Sequence, residues 1–375
     1  MINSKTTLGL LALWLIPGLG PRRIEMLCQQ LGSLDAVFGA SIDNLSKITS
    51  LAPEMVKSIP EAMTSKTLQQ ELSLIEKYRL RILDNTQPAY PELLREIHDA
   101  PPILYTRGNI DFNDGLPLAF VGSRKASFAG KSMCEKLIRQ LSKLRPDTVI
   151  VSGLAIGIDS AAHKAALDNG LKTIAVLAGG LSSIYPAQNR ILSEKIAQSG
   201  ALLTEFPVRS QPMATNFPLR NRIISGLSRG VTIVEAGERS GASITAGYAL
   251  EQNRELFALP GPADSRFSMG TNQLIQKGQA KLVMKAEDIL EEVVSDYGPV
   301  QRRSVSVEAT DKQATHLSVE EKKVICALKE GALHQNRLTN ITGIPVQQLL
   351  AVLTGLELKG LVIGQPGSVY QSVET

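Results

Sequence analysis

The sequence predicts an α/β protein with a doubly wound, mostly parallel sheet, preceded by a helical domain and followed by a smaller domain. Three observations predict this fold class. From about residue 116, short apolar runs alternate with helical periods, which is the pattern of a sheet covered by helices. The residues before this stretch have helical periods without strands. The residues after it begin with a segment that lacks an apolar period, as linkers do.

The domain boundaries follow from these changes of pattern. We expect a helical domain over residues 1–80, a Rossmann-like domain over 88–295, a linker over 296–316 and a winged helix over 317–375. Residues 88–109 contain four prolines and are predicted to form an extended connector into the sheet domain.

The N-terminal domain is predicted to begin with a helix over 7–16, a tight turn at Pro17–Gly20 and a second helix at Pro21–Leu31. Glycines let the turn approach a partner closely, and the second helix begins with free N–H groups. Arg22 and Arg23 add positive charge there. The pattern resembles a helix-hairpin-helix or SAM-like domain, in which the hairpin binds nucleic-acid backbone. A helical domain with a glycine-rich turn and no ligand is the alternative.

The sheet domain is predicted to alternate six strands with six helices. The candidate strands are Leu118–Val121, Thr148–Val151, Thr173–Leu177, Ala201–Thr204, Val231–Val234 and Leu256–Leu259. The candidate helices lie at about 127–144, 159–169, 188–199, 217–228, 243–253 and 270–277. In such sheets ligands bind beyond the carboxyl ends of the strands, near the point where the strand order reverses.

Unusual residues follow the strands at the positions where this fold class binds ligands. Gly122–Lys125 follows the first strand, Ser152–Asp159 the second and Ala178–Gly180 the third. Ser123, Arg124, Gly153 and Gly157 in these loops are therefore candidate binding residues.

Two helix starts flank the strand at 231–235, and both suit a phosphate group. Pro218 fits the first turn of one helix, and Arg220, Asn221 and Arg222 follow it directly. Because cations are disfavoured at the positive end of a helix dipole, their presence indicates an anion nearby. The second helix opens with hydroxyls and free N–H groups, supplied by Ser240, Gly241, Ser243 and Thr245. Ordinary capping with exposed arginines is the alternative.

Composition and charge exclude several other kinds of site. The net charge of +4 permits a nucleic-acid partner, and an aromatic content of 4% allows few stacking residues. Three scattered cysteines without a Cys-x-x-Cys pair predict neither disulfides nor a metal site, and fit a reduced cytoplasmic setting. The apolar run Leu8–Ile16 is too short to cross a bilayer. We expect no membrane segment and no cofactor.

Motifs for nucleotide chemistry are incomplete. Gly130-Lys131-Ser132 lacks the upstream glycine of a P-loop, and Gly153 and Gly157 do not have dinucleotide-binding spacing. Asp159 and His163 lie one helical turn apart, and we expect a capping carboxylate and a packed imidazole. Glu235 at a strand end is a candidate general base, but no nucleophile has a convincing partner.

The C-terminal segment is predicted to form a winged helix. Ser318–Glu321 has the form of a capping box, and helices near 334–341 and at Pro345–Lys359 precede a strand pair around Gly367. The second of these helices would be the recognition helix, yet its charges are only Glu357 and Lys359. Because groove binding requires several phosphate contacts, we favour a structural or protein-contact role for this domain.

Several motifs in order resemble the DNA-processing protein A family, also called DprA or Smf. They cover about residues 88–285, and the flanking domains extend the resemblance over nearly the whole chain. The matching residues are Gly122-Ser123-Arg124, Ser152-Gly153 through Asp159, Tyr185-Pro186 with Asn189, Phe217-Pro218-x-Arg220-Asn221-Arg222, Ser240-Gly241 with Thr245, and Pro260-Gly261.

The resemblance implies a homodimer that binds single-stranded DNA and delivers it to the RecA recombinase, chiefly during natural transformation. Because the sequence contains no convincing nucleophile, metal cluster or complete nucleotide motif, we expect that the protein is not an enzyme. It implies that Arg124, Arg220 and Arg222 hold phosphates and that Phe217 shapes the pocket or stacks in it. The implied DNA-binding set is completed by Ser123, Gly153, Gly157, Asn221, Ser240, Gly241, Ser243 and Thr245. Ala187 and Leu219 are uncharged where some members carry a basic residue.

Without the resemblance, the residues indicate only a phosphate-rich ligand at the strand ends. A phosphoribohydrolase-type enzyme acting on a nucleotide, with Glu235 as its base, remains an alternative. A sequence-specific regulator that uses the winged helix is a further one.

Overall fold

A nine-stranded sheet organises the larger of two units into which the chain divides, residues 1–299 and 300–375. The computed structural model describes residues 4–48, 51–238, 240–294, 318–328, 333–358, 361–365 and 369–372. The predicted linker at 296–316 lies outside the described residues. No helix of the described part is long and apolar enough to cross a membrane.

The first unit begins with six helices, several of which start at a serine whose hydroxyl accepts a backbone N–H of the first turn. Such capping satisfies amides that have no partner within the helix. The predicted hairpin is present, and its turn places Gly18 at a φ of +80°. The helices are α1 (Lys5–Trp14), α2 (Pro21–Leu31), α3 (Leu34–Gly39), α4 (Ile42–Ser46), α5 (Pro53–Glu61) and α6 (Lys66–Lys77).

The sheet contains all six predicted strands and three further ones. Its order is β1-β2-β6-β5-β4-β3-β7-β8-β9, in which β3 to β9 are parallel, while β2 pairs antiparallel with β6 and β1 antiparallel with β2. The strands are β1 (Arg81–Asp84), β2 (Ile103–Gly108), β3 (Leu116–Val121), β4 (Thr148–Ser152), β5 (Lys172–Val176), β6 (Ala201–Thr204), β7 (Gly230–Ile233), β8 (Glu255–Ala258) and β9 (Lys281–Leu282).

The helices that lie between the strands, together with one after the last strand, cover both faces of the sheet. They are α7 (Glu92–Arg95), α8 (Phe128–Leu144), α9 (Ile158–Asp168), α10 (Arg190–Ser199), α11 (Asn216–Gly226), α12 (Gly241–Glu251), α13 (Met269–Gln276) and α14 (Ala286–Val293). Separate groups of buried apolar side chains lie on the two faces. The strand order reverses at β3, which lies between β4 and β7, so this is the topological switch point.

The prediction of an extended connector over 88–109 is wrong for residues 92–95, which form the helix α7, and for its last third. Residues 103–108 form β2, which pairs with β6 and buries Ile103, Leu104 and Tyr105. The prolines that suggested a connector, Pro101 and Pro102, stand just before the strand, where their missing N–H groups remove no ladder hydrogen bond.

One apolar cluster joins the N-terminal helices to the sheet. It contains Leu11 and Leu13 of α1 together with Ile82 of β1, Tyr105 of β2 and Leu202 of β6. The helical domain is therefore packed on the same core as the strands.

The second unit has the element order of a winged helix. Ser318 and Glu321 form the predicted capping box, since the backbone N–H of each donates to the side chain of the other, at 2.8 and 3.1 Å. The predicted strand pair is present, and a short additional strand, β10, pairs with its second strand. The elements are α15 (Val319–Leu328), β10 (Leu333–His334), α16 (Gln335–Thr342), α17 (Val346–Leu358), β11 (Val362–Gln365) and β12 (Val369–Ser372).

Candidate functional site

An open groove lies at the switch point, beyond the carboxyl end of β3 and at the starts of α11 and α12. It encloses about 1650 Å³, open solvent included. Eight of the twelve predicted binding residues line it, namely Ser123, Arg124, Phe217, Arg220, Asn221, Ser240, Gly241 and Thr245. A smaller recess of about 600 Å³, also counted with solvent, shares Arg124, Phe217 and Arg220 with the groove and adds Gly153.

A cation and two aromatic rings stand together at the mouth of the recess. The guanidinium carbon of Arg124 lies 4.8 Å from the centroid of the Phe217 ring. The Tyr185 ring meets Phe217 edge-on, with centroids 5.8 Å apart and an angle of 66° between the planes. Tyr185 is half exposed. It belongs to the Tyr185-Pro186 motif but is not one of the twelve predicted binding residues.

The floor of the groove is the buried guanidinium of Arg220. Its Nη1 donates to the carbonyl oxygens of Gly153 and Val176, the first at 2.6 Å. Burial lowers its pKa to about 10, an effect that the neighbouring Asp159 opposes, so the group is charged at neutral pH. A Cβ at Gly153 would lie 2.5 Å from Nη1, and glycine is therefore needed to admit the arginine.

Asp159 fixes the loop that follows β4. Its carboxylate accepts the backbone N–H groups of Gly153 and Ala155, at 3.2 and 3.3 Å. Burial raises the pKa of this carboxyl, while the charge of Arg220 lowers it. The predicted capping position is corrected, because Gly157 is the N-cap of α9 and Asp159 lies in its first turn.

His163 is a packed side chain, as expected. Its Nδ1 lies 2.7 Å from the hydroxyl of Thr173, which itself donates to the carbonyl of Ile150. Because that hydroxyl proton is already used, the imidazole donates from Nδ1. Burial lowers its pKa to about 3.

The prediction that Arg222 holds a phosphate is wrong. Its side chain is 6% exposed and pairs with the Asp99 carboxylate at 3.2 Å and with the buried Glu205 carboxylate. Residues two apart on a helix face opposite sides, so Arg222 points away from the groove that Arg220 lines. The helical period alone could have separated the two arginines.

The start of α12 offers a ligand backbone N–H groups more than free hydroxyls. The Ser240 hydroxyl accepts the Ser243 N–H at 3.4 Å, and the two hydroxyls lie 3.2 Å apart, so Ser240 caps the helix. Ser243 does not line the groove. The Thr245 hydroxyl donates to the carbonyl of Gly241 at 3.4 Å, and Asn221 donates to the same carbonyl at 3.3 Å, which links the two helix starts.

Gly157 is not among the residues that line the groove or the recess. It has a φ of +91°, and a Cβ there would collide with the carbonyl oxygen of Ser123. The residue lets the loops after β3 and β4 cross closely, which corrects its predicted role in binding.

Glu235 holds the loop between β3 and α8. Its carboxylate accepts the backbone N–H of Ser127 at 2.9 Å and the hydroxyl of the same residue. Gly130 packs directly against this carboxylate, inside α8, so the P-loop-like residues are helical and cradle no phosphate.

Comparisons with known proteins give consistent results. The family model described as DNA recombination-mediator protein A matches residues 81–294, and the DprA winged helix domain matches 308–368. The Synechocystis sp. protein named Smf is 34% identical over 393 residues, which cover 96% of this chain and 98% of that protein.

Two solved structures are similar to this chain. One is DNA processing protein A from Streptococcus pneumoniae, 36% identical, covering 76% of this chain and 97% of that one with a TM-score of 0.67. The other is DNA processing protein A from Helicobacter pylori, whose structure is described in terms of its single-stranded DNA binding mode. It is 31% identical and covers 59% of this chain and 98% of that one, with a TM-score of 0.53.

Proposed function

The chain belongs to the DNA recombination-mediator protein A family, and from this premise we propose that it binds single-stranded DNA in the strand-end groove without sequence preference. We propose further that it acts as a homodimer in the cytoplasm and delivers the strand to the RecA recombinase in natural transformation and recombination. The single-stranded DNA binding described for the Helicobacter pylori relative supports the first of these proposals.

The observation that carries the proposal is the Arg124–Phe217–Tyr185 cluster at the mouth of the recess. Exposed aromatic rings stack on unpaired bases, and cations beside them attract the phosphates that link those bases. The bases of a duplex are already stacked and their faces are not available to such rings. The cluster therefore favours single strands over duplexes.

The rest of the groove adds positive potential and backbone donors. Arg220 lies at the floor, Lys125 lies at the rim, and α12 begins at Gly241 with its first amides at the groove. These groups bind phosphate oxygens, which are the same for every nucleotide. We infer that sequence preference is weak. On this account Asn221 and Thr245 fix the two helix starts, and Ser123 shapes the Arg124 turn by accepting the Lys125 N–H at 3.1 Å.

We also propose that the protein performs no covalent chemistry. Glu235, the side chain on which the phosphoribohydrolase alternative depends, caps the Ser127 loop and is 8% exposed. A general base must reach the proton that it abstracts, and this carboxylate is occupied away from the groove lining. Incubation with nucleoside monophosphates should release neither base nor phosphate. Turnover that Glu235→Gln abolishes would support the enzyme instead.

Delivery to the recombinase is tested on single strands coated by a single-strand binding protein. The protein is expected to shorten the lag before RecA filaments form, and Arg124→Ala is expected to weaken this effect in step with its weaker strand binding. A lag that the wild-type protein does not change, under conditions where it binds the strand, would refute delivery while leaving strand binding intact.

A further inference from the structure

One wall of the groove is a segment that is hydrogen-bonded to the N-terminal helices. This wall segment, residues 205–215, connects β6 to α11, and all of its residues are described. It forms neither helix nor strand, so the hydrogen bonds of regular secondary structure do not fix its position. It contributes Pro212 and Ala214 to the groove.

The helical domain holds the wall segment at two backbone groups. The indole Nε1 of Trp14, at the end of α1, donates to the carbonyl oxygen of Glu205 at 2.7 Å. The carboxylate of Glu71, on α6, accepts the backbone N–H of Val208 at 2.7 Å. Glu71 is 6% exposed and Val208 is fully buried, so water does not replace this partner readily.

The wall segment in turn holds the loop that follows β5. Ser182 donates its N–H to the carbonyl of Val208 at 3.0 Å, and Gly180 donates to that of Ser210 at 2.8 Å. A Cβ at Gly179 would lie 3.1 Å from Ser210 O, which shows how closely the two loops pack. Gly179 and Pro212 both line the recess beside Phe217.

The same segment is tied to the helix that carries the binding residues. The Glu205 carboxylate pairs with Arg222 on α11, and α11 carries Phe217 and Arg220 into the groove. Trp14 thus contacts the backbone of the residue whose side chain orients α11. Two routes, through Val208 and through Glu205, lead from the helical domain to the groove.

We propose that the N-terminal helical domain positions the groove, with Trp14 and Glu71 as positioning residues that touch no DNA themselves. Their hydrogen bonds select one arrangement of the wall segment, so that the groove is formed before the strand arrives. Pre-formed sites lose less free energy to ordering when they bind. The proposal rests on the proposed function of the groove.

The chain offers a matched control. Thr7, on α1, donates its hydroxyl to the buried carboxylate of Asp84 on β1. This is another hydrogen bond between the helical domain and the sheet, but it ends on the edge strand and not on the wall segment. Thr7→Val therefore removes a comparable contact without touching the groove.

The test compares the affinity of full-length variants for a labelled single strand, with a thermal melt of each. Trp14→Phe and Glu71→Leu are expected to raise Kd on the order of three- to tenfold. Glu71→Gln keeps an acceptor for the Val208 N–H and should restore most of the affinity. Thr7→Val should lower Tm and leave Kd unchanged.

A second measurement uses Trp14 as a probe, since it is the chain's one tryptophan. Saturating single strand should leave its emission nearly unchanged in the wild type and in Thr7→Val, where the wall segment is already in place. It should shift the emission in Glu71→Leu, where binding must first order that segment. Unchanged Kd in both anchor variants, or an equal loss of affinity in Thr7→Val, would overturn the proposal. So would a strand-induced shift of Trp14 emission that is as large in the wild type as in Glu71→Leu. A wild type that binds no strand would instead refute the proposed function.

Discussion

At the scale of single residues, the two arginines of α11 have separate tasks because the helix turns them to opposite sides. Arg220 lies under the groove and Arg222 lies in a buried ion pair with Glu205 and Asp99. The sequence identified both as cations at a helix start, and only the side on which each falls was missed. Asp99 and Glu205 are far from Arg222 in sequence, and nothing in the local pattern indicates them as its partners.

Replacing Arg124 should weaken strand binding without loss of stability. Its side chain is exposed and stacks on Phe217, so Arg124→Ala removes a phosphate contact while the core stays intact. The slope of log K against log salt should fall in magnitude by about 0.7, the contribution of one phosphate of a single strand. A clearly lower Tm, or an unchanged slope and affinity, would count against a direct contact.

Replacing Arg222 should lower the stability of the fold. Arg222→Met leaves the buried Glu205 carboxylate without its partner, which costs about 3–5 kcal/mol of the free energy of unfolding. Denaturant unfolding measures this directly. A variant as stable as the wild type would show that the ion pair is not structurally important.

The buried imidazole of His163 makes the stability depend on pH. Its pKa is lowered from 6.5 to about 3, so between these values the unfolded chain binds a proton that the folded protein does not. The free energy of unfolding should therefore fall as pH falls below 6.5, by up to about 1.4 kcal/mol per pH unit from this group. His163→Gln should show a shallower dependence in the same range. If the free energies of unfolding of the wild type and of His163→Gln depend on pH in the same way, the lowered pKa of His163 is contradicted.

At the scale of elements, the strands that could be predicted from the sequence are those with consecutive apolar residues that are buried on both faces of the sheet. β1 and β2 were missed because they border a proline-rich stretch, and β9 because two residues carry no readable pattern. The loops that build the groove were placed correctly at the strand ends. Their crossing, through Gly157 against Ser123, depends on tertiary contact and is not visible in the sequence.

Two glycines with positive φ allow that crossing to be tested. Gly157 has a φ of +91° and no room for a Cβ, whereas Gly170, after α9, has a φ of +72° and open space around it. Gly170→Ala should cost about 1 kcal/mol from the backbone alone and leave strand affinity unchanged. Gly157→Ala should cost more and also weaken binding, because it displaces the loop that carries Arg124. Equal effects of the two substitutions on stability and binding would contradict the crossing.

At the scale of the whole molecule, the order of domains was readable from the sequence, but the attachment of the first domain was not. Trp14 and Glu205 are 191 residues apart, and Glu71 and Val208 are 137 apart. Contacts between residues so far apart in the sequence produce no periodic pattern from which they could be predicted. The helical domain that was expected to stand before the sheet shares its core.

The C-terminal unit should be dispensable for strand binding. All residues that line the groove lie between 121 and 245, within the first unit, and α17 carries Glu357 as its one charged residue. A protein ending at residue 294 is expected to keep most of the affinity of the full chain. A folded truncation, verified by its melt, that had lost most of its affinity would make the winged helix a DNA site.

The central claim is tested most directly by measuring affinity for a single strand and for a duplex of the same length over a series of salt concentrations. We predict tighter binding of the single strand, little change with its sequence, and a linear log–log plot with a slope of about −0.7 for each phosphate contacted. Equal affinity for the duplex, or binding of the single strand that does not respond to salt, would contradict the account.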